Sequence, residues 1–511
     1  MKIPNVLAER YASDRIIEIW SPENKILLER ELWIAVLQAQ RENGADVPEE
    51  AIAAYQRTKN DIDLESILAR EKIVKHDVKA RIEEFCDIAG YEHIHKGMTS
   101  RDLTENIEQL QVLESLLHIQ MLTVATLSRL TDLAQQYAAL PLTGRTHNVP
   151  AQITTMGKRF ANIAEEMILA FTTLEQISET YPMRGLKGPV GTQQDLLGLL
   201  GDQTKVEEFE QSIAKHLGFN HTMRSVGQVY PRSIDFSVIS TLVQLSSGPA
   251  NLAKTLRLMA GHDLVTEGFQ EGQVGSSAMP HKMNMRSCER IGGMTVVLKG
   301  YLSMVTDLTG DQWNEGDVSC SVVRRVALPD SFFVIDGLMQ TFITVLDDFG
   351  LYPQVIEREL NHYLPFLSTT KILSAALNKG MGREEAHEII KEHAVASALA
   401  LRNTDVGDNM LLHDLGKDDR FPLTEKELLQ AISEIGTGLV QHQINAVTAD
   451  VEALKERYHE AENYIPQPSS AGLSAASLAA TETRMRRSQE QWTTANPASS
   501  EIGRASCRER V

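Results

Sequence analysis

Four long stretches of apolar residues at helical spacing run through the middle of the chain, and they begin near Leu103, Gln152, Ile234 and Arg290. Each stretch is longer than a normal β-strand, so the spacing favours helices over a sheet. Residues that favour helices, such as alanine, leucine and glutamate, are plentiful, whereas aromatic residues make up only 5% of the chain. The pattern therefore predicts an all-α fold with a central bundle of long helices.

A complete helix signature near the N-terminus agrees with this prediction. Ser21 is typical of a helix N-cap, Pro22 of the first helical position, and Gly44 of the residue after the end. Loops that contain glycine or proline separate the helical stretches that follow. Because binding and catalytic residues often lie on such loops, we expect function at the ends of the bundle. The loops with the most polar residues are 95–100, 141–150, 184–191, 224–231 and 268–284.

The chain has 511 residues, of which 42% are hydrophobic, and this is enough for two or three domains. We predict an N-terminal helical domain (1–105), a central bundle (106–366) and a C-terminal helical domain (367–460). Residues 461–511 are rich in alanine, serine and threonine, which predicts a flexible tail. The last eleven residues share no pattern with the rest, and our hypothesis is that they are translated sequencing-adapter DNA.

Charge and cysteine content exclude several classes of protein. The net charge of −19 disfavours nucleic-acid binding, so an anionic ligand needs a local basic pocket. The four cysteines form no CxxC pair, which is typical of the reducing cytoplasm and argues against structural zinc or disulfides. The N-terminus lacks the apolar stretch of a signal peptide, and no eighteen apolar residues are consecutive. These features predict a soluble cytoplasmic protein without a membrane partner.

The most informative segment is the loop 275–284, GSSAMPHKMN. It combines serine hydroxyls, backbone N–H groups, one lysine and one amide. Such donors suit a reaction in which a proton is removed next to a carboxylate, because the negative charge that develops needs stabilisation. The loss of one donor of this kind typically costs about 3–4 kcal/mol. A serine is a weak base by itself, and Lys282 is the cation that could activate it when the loop closes.

This segment resembles the SSxMPxKxN motif of the fumarase/aspartase superfamily, whose members eliminate fumarate across a C–N or C–O bond. The resemblance implies that Ser276 is the catalytic base and that Lys282 and Asn284 hold the carboxylates of the fumarate portion. Met279 of the same motif is expected to contact the substrate. Most members have proline after the asparagine, and here Met285 replaces it. We expect this departure to change the stiffness of the loop but not its chemistry.

Shorter motifs over most of residues 5–455 resemble the adenylosuccinate lyase family within that superfamily. The segment 144–147, GRTH, is similar to the loop of the general acid, which implies that His147 protonates the departing nitrogen. Histidine suits this role because its ordinary pKa lies near neutrality. A lone histidine is more often a surface residue, so this assignment depends on the Thr-His pair and the loop that follows it.

The segment Lys75-His76-Asp77 and the early pair Arg10-Tyr11 resemble substrate-binding loops of the family. Without the resemblance, the first would be interpreted as a solvated helix face and the second would carry no meaning. With it, His76 orients the substrate as a catalytic residue, and Lys75, Arg10 and Tyr11 approach the nucleotide phosphate. Lysine at position 75 gives a point charge in place of the two-pronged arginine that is more frequent there.

Thr99-Ser100 is similar to the loop that holds the succinyl carboxylates. The alternative is that Ser100 caps a helix that starts near Arg101, and one serine can serve both roles. Gln228, in the segment GQVYPR, and Arg290, after the catalytic loop, match binding residues of the family.

Ser321 and Arg325 resemble the pair on the phosphate and ribose side. Many relatives carry an arginine three residues after the tryptophan that corresponds to Trp313, and here the position is Gly316. One anion contact is therefore missing or comes from another residue, for which Arg324 is a candidate.

The resemblance implies an all-α, three-domain enzyme whose central helices form a bundle shared by four subunits. It also implies active sites built from loops of different subunits. The expected reaction is the anti elimination of fumarate from adenylosuccinate and from succinyl-carboxamide ribotide in purine biosynthesis. Neither a metal nor an organic cofactor is required, and the sequence has no cluster of residues with metal-ligand spacing.

Two alternatives remain at this stage. One is another superfamily lyase, such as argininosuccinate lyase, aspartase or fumarase, against which the phosphate-side residues speak. The other is a helical scaffold without activity, against which the full set Ser276, His147, Lys282 and Asn284 speaks.

Overall fold

The computed structural model describes residues 5–268, 279, 281–403, 409–433 and 436–467 of the chain. In these residues helices predominate, and the short strands form only two-stranded sheets. The prediction of an all-α fold is confirmed.

The first part of the chain forms a cluster of helices. They are α1 (Val6–Tyr11), α2 (Asp14–Trp20), α3 (Pro22–Glu42), α4 (Glu49–Thr58), α5 (Leu64–Val74) and α6 (Asp77–Ala89). Helix α3 has the predicted ends: the Ser21 hydroxyl accepts a hydrogen bond from the backbone N–H of Asn24 at 3.1 Å, and Gly44 has a φ of +91°.

The central part contains the four long helices that the sequence predicts, and each starts within four residues of its predicted position. The elements are α7 (Ser100–Gln136), β1 (Pro141–Thr146), β2 (Val149–Thr155), α8 (Met156–Thr180), β3 (Pro182–Met183), α9 (Gln194–Leu200), α10 (Gln203–His216), β4 (His221–Thr222), α11 (Ser233–Ala260), β5 (Val265–Thr266), α12 (Arg286–Leu308) and α13 (Ser321–Asp347). The interpretation of 141–150 as a loop is wrong, because this segment forms most of an antiparallel hairpin. Its threonine and valine residues favour strands.

The C-terminal part returns to the bundle at its end. The elements are β6 (Gly350–Leu351), α14 (Pro353–Leu367), α15 (Thr369–Asn378), α16 (Arg383–Asn403), α17 (Leu411–Gly416), α18 (Glu425–Ser433), α19 (Val440–Lys455) and a 3₁₀ turn (His459–Ala461). Residues of α15 to α18 form a small core of their own, whereas α19 packs on α7 and α8 in the main core. The domain boundaries near residues 105 and 367 stay a prediction.

Helices α7 and α13 run in the same direction, and α12 runs against α13. The shared direction follows from three side-chain contacts along their length, Glu108–Arg324, His118–Asp336 and Arg129–Asp347. At 1.5 Å per residue, α7 is about 55 Å long and α11 about 42 Å long. The starts of α7, α11 and α13 therefore lie at one end of the bundle, and the β1–β2 hairpin and the end of α11 lie at the other.

Helices α7 and α13 are long and apolar enough to cross a membrane by length and composition alone. Most of each apolar stretch, 78% and 83%, is buried inside the chain, as in the core helices of soluble proteins.

The segment after α19 is anchored to the bundle as far as residue 467. The backbone N–H of Asp14 donates to the side chain of Gln467 at 2.7 Å, and the backbone N–H of Gln467 donates to Gln340 at 3.0 Å. Polar side chains of the bundle thus hold the described part of the segment at Gln467, and the flexible tail from residue 461 stays a prediction. Residues 468–511 lie outside the described part of the chain.

Gly157 allows the start of α8 to cross the end of α7 closely. A Cβ atom at this position would lie 2.2 Å from the carbonyl oxygen of Ala134 and 2.7 Å from the backbone nitrogen of Ala138. We expect Gly157→Ala to lower the free energy of unfolding by about 1–3 kcal/mol, because the backbone must shift. Gly198→Ala, in α9, is the control: a Cβ there meets nothing within 4 Å, so it should stabilise by up to about 1 kcal/mol. Urea unfolding of both variants measures the difference, and equal midpoints would contradict the expectation.

His95 is held neutral in the segment between α6 and α7. Trp33 Nε1 donates to His95 Nδ1 at 3.1 Å, and burial lowers the pKa of His95 from 6.5 to about 4. As the pH falls below 6.5, the imidazole of His95 is protonated in the unfolded chain but stays neutral in the folded protein until the pH approaches 4. Between pH 7 and pH 5 the folded protein therefore loses about 2 kcal/mol of stability from this group.

The variant His95→Asn tests this expectation, because asparagine tolerates the left-handed backbone of this position (φ +69°) and does not titrate. Urea unfolding at both pH values should show a smaller loss for the variant than for the unchanged protein. An equal loss in the two proteins would assign the pH dependence to other groups.

Candidate active site

The N-terminal ends of three helices, α6, α7 and α13, meet at one cavity of about 270 Å³. Each end has backbone N–H groups without partners in the helix and the positive end of a helix dipole. Such ends favour anions, phosphate groups above all. Seven of the residues that the sequence predicts as substrate-binding or catalytic line this cavity: His76, Asp77, Thr99, Ser100, Gln228, Ser321 and Arg325.

His76 and Ser100 lie within hydrogen-bond distance of each other in the wall of the cavity. His76 Nδ1 accepts from the backbone N–H of Lys79 at 3.2 Å and so caps α6, which leaves Nε2 directed at the Ser100 hydroxyl, 3.3 Å away. Burial acts to raise the pKa of Asp77, but the nearby Arg81 guanidinium and the backbone N–H of Val78 together outweigh it, so the pKa of Asp77 is lowered. The helix cap therefore orients the imidazole of His76. The lowered pKa keeps the neighbouring Asp77 in the carboxylate form.

The start of α7 is fixed by Asp102, which is fully buried. Its carboxylate accepts from the backbone N–H of Thr99 at 2.8 Å and from Arg184 Nη1 at 2.7 Å. The helix cap is thus Thr99, and the alternative of Ser100 as the cap is wrong, because the helix begins at Ser100 itself. Arg184 Nη2 also donates to the carbonyl of Gly227 at 2.9 Å. One buried ion pair therefore joins the Thr99-Ser100 turn to the loop that carries Gln228.

Gly316 lies against the same loop, and the backbone there requires glycine. Its φ is +139°, and a Cβ atom would lie 3.1 Å from the Cβ of Gln228. The backbone N–H of Gln228 donates to the carbonyl of Glu315 at 2.6 Å, which holds the two segments together. An arginine at position 316 would need a different loop.

Arg324 does not supply the missing contact, and the suggestion that it does is wrong. The residue is 3% exposed, and its Nε donates to Asp235 at 2.9 Å and its Nη1 to Glu108 at 2.9 Å. Its Nη2 donates to the hydroxyl of Tyr230. Burial acts to raise the pKa of Glu108, but the charges of four cations together outweigh it and lower the pKa to about 2; they are Arg324, Lys25, Arg232 and Arg101. Arg324 is therefore the centre of a buried network behind the cavity.

Arg325, the next residue, is exposed at the cavity and has no hydrogen bond or ion pair in the part of the chain that is described. Lys75 does not line the cavity. It ends α5 in a left-handed conformation, and its side chain is exposed. Its contact with phosphate stays a prediction.

Several residues line the cavity that the sequence did not suggest. Lys25, on α3, lies with its Nζ 3.5 Å from Glu108, and Arg101, beside Ser100, lies with its Nη1 3.4 Å from Glu105. Val78, Thr104 and Glu108 complete this set. Arg101 could have been found as a cation beside a predicted binding serine, but nothing in the sequence places Lys25 opposite that turn.

Arg10, Tyr11 and Arg290 come together at a different place. The guanidinium carbons of Arg10 and Arg290 lie 5.9 and 5.6 Å from the centre of the Tyr11 ring. Tyr11 packs against Gly337, which lies twelve residues after Arg325 on α13. This distance along the helix is about 18 Å, so the cluster is separate from the cavity within one chain.

His147 lies at the tip of the β1–β2 hairpin, at the opposite end of the bundle. His147 and Asn148 have φ values of +53° and +64°, which make the tight turn, and both side chains are exposed. Arg145 pairs with Glu359 of α14 and so fixes the hairpin to the helix behind it. The histidine is therefore presented to the surface on a rigid support.

Residues 281–284, the end of the predicted catalytic loop, lead into α12 at the same end of the bundle. Ser276 lies outside the described residues. Lys282, Asn284 and neighbouring residues line a cavity of about 890 Å³ between the end of α11 and Tyr352. Met279 is exposed.

Glu267, which is buried, holds the exit of this loop in place. Its carboxylate accepts from the backbone N–H groups of Ser287 and Cys288 at 2.8 and 2.9 Å, at the start of α12. Met285, in place of the expected proline, is 7% exposed and packs into the core.

One chain thus carries its predicted site residues in separate places. The His76 cavity lies at the start of α7 and α11, and the hairpin and the loop lie about 40–55 Å away along these helices. Among the described residues, no group of three or more histidine, cysteine, aspartate or glutamate side chains could hold a metal ion.

Known proteins resemble this chain along most of its length. Residues 11–300 match the family described as "Lyase", and residues 365–446 match "Adenylosuccinate lyase C-terminus". A fumarate lyase from Mesorhizobium sp. BNC1 shares the fold, with a TM-score of 0.73, 20% identity, and coverage of 86% of this chain and 98% of that one.

Two relatives are closer in sequence. The adenylosuccinate lyase of Saccharomyces cerevisiae is 32% identical over 428 residues, which are 83% of this chain and 89% of the yeast protein. That of Schistosoma mansoni is 31% identical over 404 residues, 78% of this chain and 84% of its own length. The chain therefore belongs to the adenylosuccinate lyase family.

Proposed function

We propose that this chain is an adenylosuccinate lyase, a carbon–nitrogen lyase that releases fumarate from adenylosuccinate, giving AMP, and from succinyl-carboxamide ribotide. The observation that carries the proposal is the meeting of three helix N-termini with Arg325 and His76 at one cavity. This is a site for a phosphate-bearing substrate in a chain of net charge −19. Argininosuccinate, aspartate and malate carry no phosphate, so the cavity disfavours the other superfamily reactions.

In the proposed mechanism Ser276 removes the proton from the β-carbon of the succinyl group. Lys282 and Asn284 stabilise the charge that develops on the carboxylate. His147 then protonates the nitrogen as the C–N bond breaks and fumarate leaves. Thr99 and Ser100 hold succinyl carboxylates, His76 orients the substrate, and the phosphate lies towards Ser321 and Arg325.

These groups act together only if different subunits contribute them, since one chain separates them by tens of ångströms. Exposed apolar side chains on α8, α12 and α13 support such an assembly: Leu169, Val296, Met304 and Val322 are 67%, 69%, 44% and 71% exposed. A large contiguous apolar patch is rare on monomeric soluble proteins, and assembly of the bundle would cover these side chains. We therefore propose a cytoplasmic homotetramer with shared active sites. Sedimentation velocity of the purified protein tests it, and a monomer that turns over substrate would contradict it.

An ultraviolet assay of the purified protein tests the reaction. Adenylosuccinate should be converted to AMP and fumarate, and succinyl-carboxamide ribotide should also react. Argininosuccinate, aspartate and malate serve as controls and should not be consumed. Activity on one of these controls, without activity on adenylosuccinate, would overturn the proposal, and no activity on any substrate would favour the inactive scaffold.

A further inference from the structure

The His76 cavity holds more positive charge than the predicted site residues account for. Besides Arg325, the cations Lys25 and Arg101 line it, together with the carboxylates of Asp77 and Glu108. Both are partly exposed, with 33% and 21% of the side chain accessible, so a ligand in the cavity can reach them.

The carboxylates nearest to Lys25 and Arg101 also pair with buried guanidiniums that lie behind the cavity wall. Glu108 bonds to Arg324 at 2.9 Å, and Glu105 bonds to Arg232 at 3.0 Å. The contacts of Lys25 and Arg101 with these carboxylates are long by comparison, at 3.5 and 3.4 Å. The four cations of this network, Lys25, Arg101, Arg232 and Arg324, thus face three carboxylates, Glu105, Glu108 and Asp235. Asp77 pairs with Arg81. Since Arg325 adds one more positive charge, the cavity keeps a local excess of positive charge.

A doubly charged group at one centre fits this excess. A phosphate monoester carries about −1.5 to −2 charges at pH 7 and three acceptor oxygens. The volume of about 270 Å³ lies below the usual range for a whole ligand, so the cavity accommodates one end of a nucleotide. The helix N-termini that line it also prefer phosphate.

We propose that Lys25 and Arg101 bind the phosphate of the nucleotide substrate together with Arg325, and so compensate for the absence of a side chain at Gly316. This inference rests on the proposed function and names two further substrate-binding residues. In this proposal both side chains contact the phosphate and not the atoms of the reacting C–N bond, so they contribute to substrate binding and not to proton transfer.

Kinetics of Lys25→Met and Arg101→Gln test the inference. Each change should raise KM for adenylosuccinate roughly 10-fold and leave kcat within about threefold, because a charge-assisted contact is lost. Arg101→Lys should recover most of the loss. Arg41→Gln is the control: it removes the same charge from an exposed pair with Glu49 at 2.9 Å, away from the cavity, and should change nothing.

Calorimetric titration with AMP and with fumarate distinguishes the ligand groups and does not depend on turnover. AMP should bind the two variants roughly 10-fold more weakly than the unchanged protein, while fumarate binding stays the same. Equal AMP affinity in variants and unchanged protein would overturn the inference, as would a parallel loss of fumarate affinity, which would assign the two cations to carboxylates. A protein that neither binds AMP nor consumes adenylosuccinate would instead contradict the proposed function.

Discussion

Replacing His147 with asparagine is expected to lower kcat for adenylosuccinate by about 10²–10⁴-fold, the usual contribution of a positioned proton donor. The fold should be unaffected, because the side chain is exposed at the hairpin tip and asparagine tolerates its φ of +53°. Steady-state kinetics and thermal unfolding measure the two effects. His442→Asn, on an exposed face of α19, is the control and should change neither. A His147 variant with nearly full activity would show that another group donates the proton.

The same variant tests whether subunits share active sites. His76→Asn removes the imidazole but keeps a good helix cap for α6, so it too should be folded and inactive. If a site takes His76 from one subunit and His147 from another, random mixing of the two variants leaves both residues intact in about a quarter of the sites. Co-expressed variants should therefore recover about a quarter of the normal activity. Mixed oligomers as inactive as their parents would place both residues in one chain and contradict the proposed assembly.

The sequence was sufficient for the helices but not for every connection. The Ser21-Pro22 start and the Gly44 end define α3 because capping residues act locally. The β1–β2 hairpin was interpreted as a loop because its strands contain Pro141, Gly144 and Pro150, which are typical of loops. The anchored segment 461–467 also depends on distant partners such as Gln340, which a local pattern cannot reveal.

The candidate site shows the same limit. Resemblance to the family selected seven residues that line the His76 cavity, although they come from four distant segments of the sequence. It did not select Lys25 or Arg101, since only the folded chain brings α3 and the start of α7 together. It also could not say that the site residues of one chain lie at opposite ends of the bundle, because this depends on the directions of the helices.

Helix phase, in contrast, could have separated Arg324 from Arg325. Arg324 shares a helix face with Ala327, Leu328 and Ser331, three, four and seven residues later, and all three are buried. Arg325 lies about a quarter turn away from Arg324, on the side of the helix that carries the exposed Val322 and Val326. The two adjacent arginines therefore differ in environment, and this leads to a paired prediction.

Arg324→Met is expected to lower the free energy of unfolding by about 3–5 kcal/mol, because it leaves buried carboxylates without their partner. Asp235 and Glu108 each lose a 2.9 Å contact, and the Tyr230 hydroxyl loses a donor. Arg325→Met should change the stability by no more than about 0.5 kcal/mol, as is usual for an exposed side chain. The midpoint of urea unfolding measures both at one protein concentration, since assembly also stabilises the fold.

Enzyme kinetics should show the opposite order of effects: KM should change more in Arg325→Met than in Arg324→Met. Arg325→Met should raise KM for adenylosuccinate about 10- to 100-fold, because a charged contact with the phosphate is lost while the fold persists. Arg324→Met, assayed at a temperature at which it remains folded, should keep a KM closer to that of the unchanged protein, since its guanidinium lies behind the cavity wall. If Arg324→Met raised KM as much as Arg325→Met without any loss of stability, Arg324 would be the substrate contact and the buried network would have no structural role.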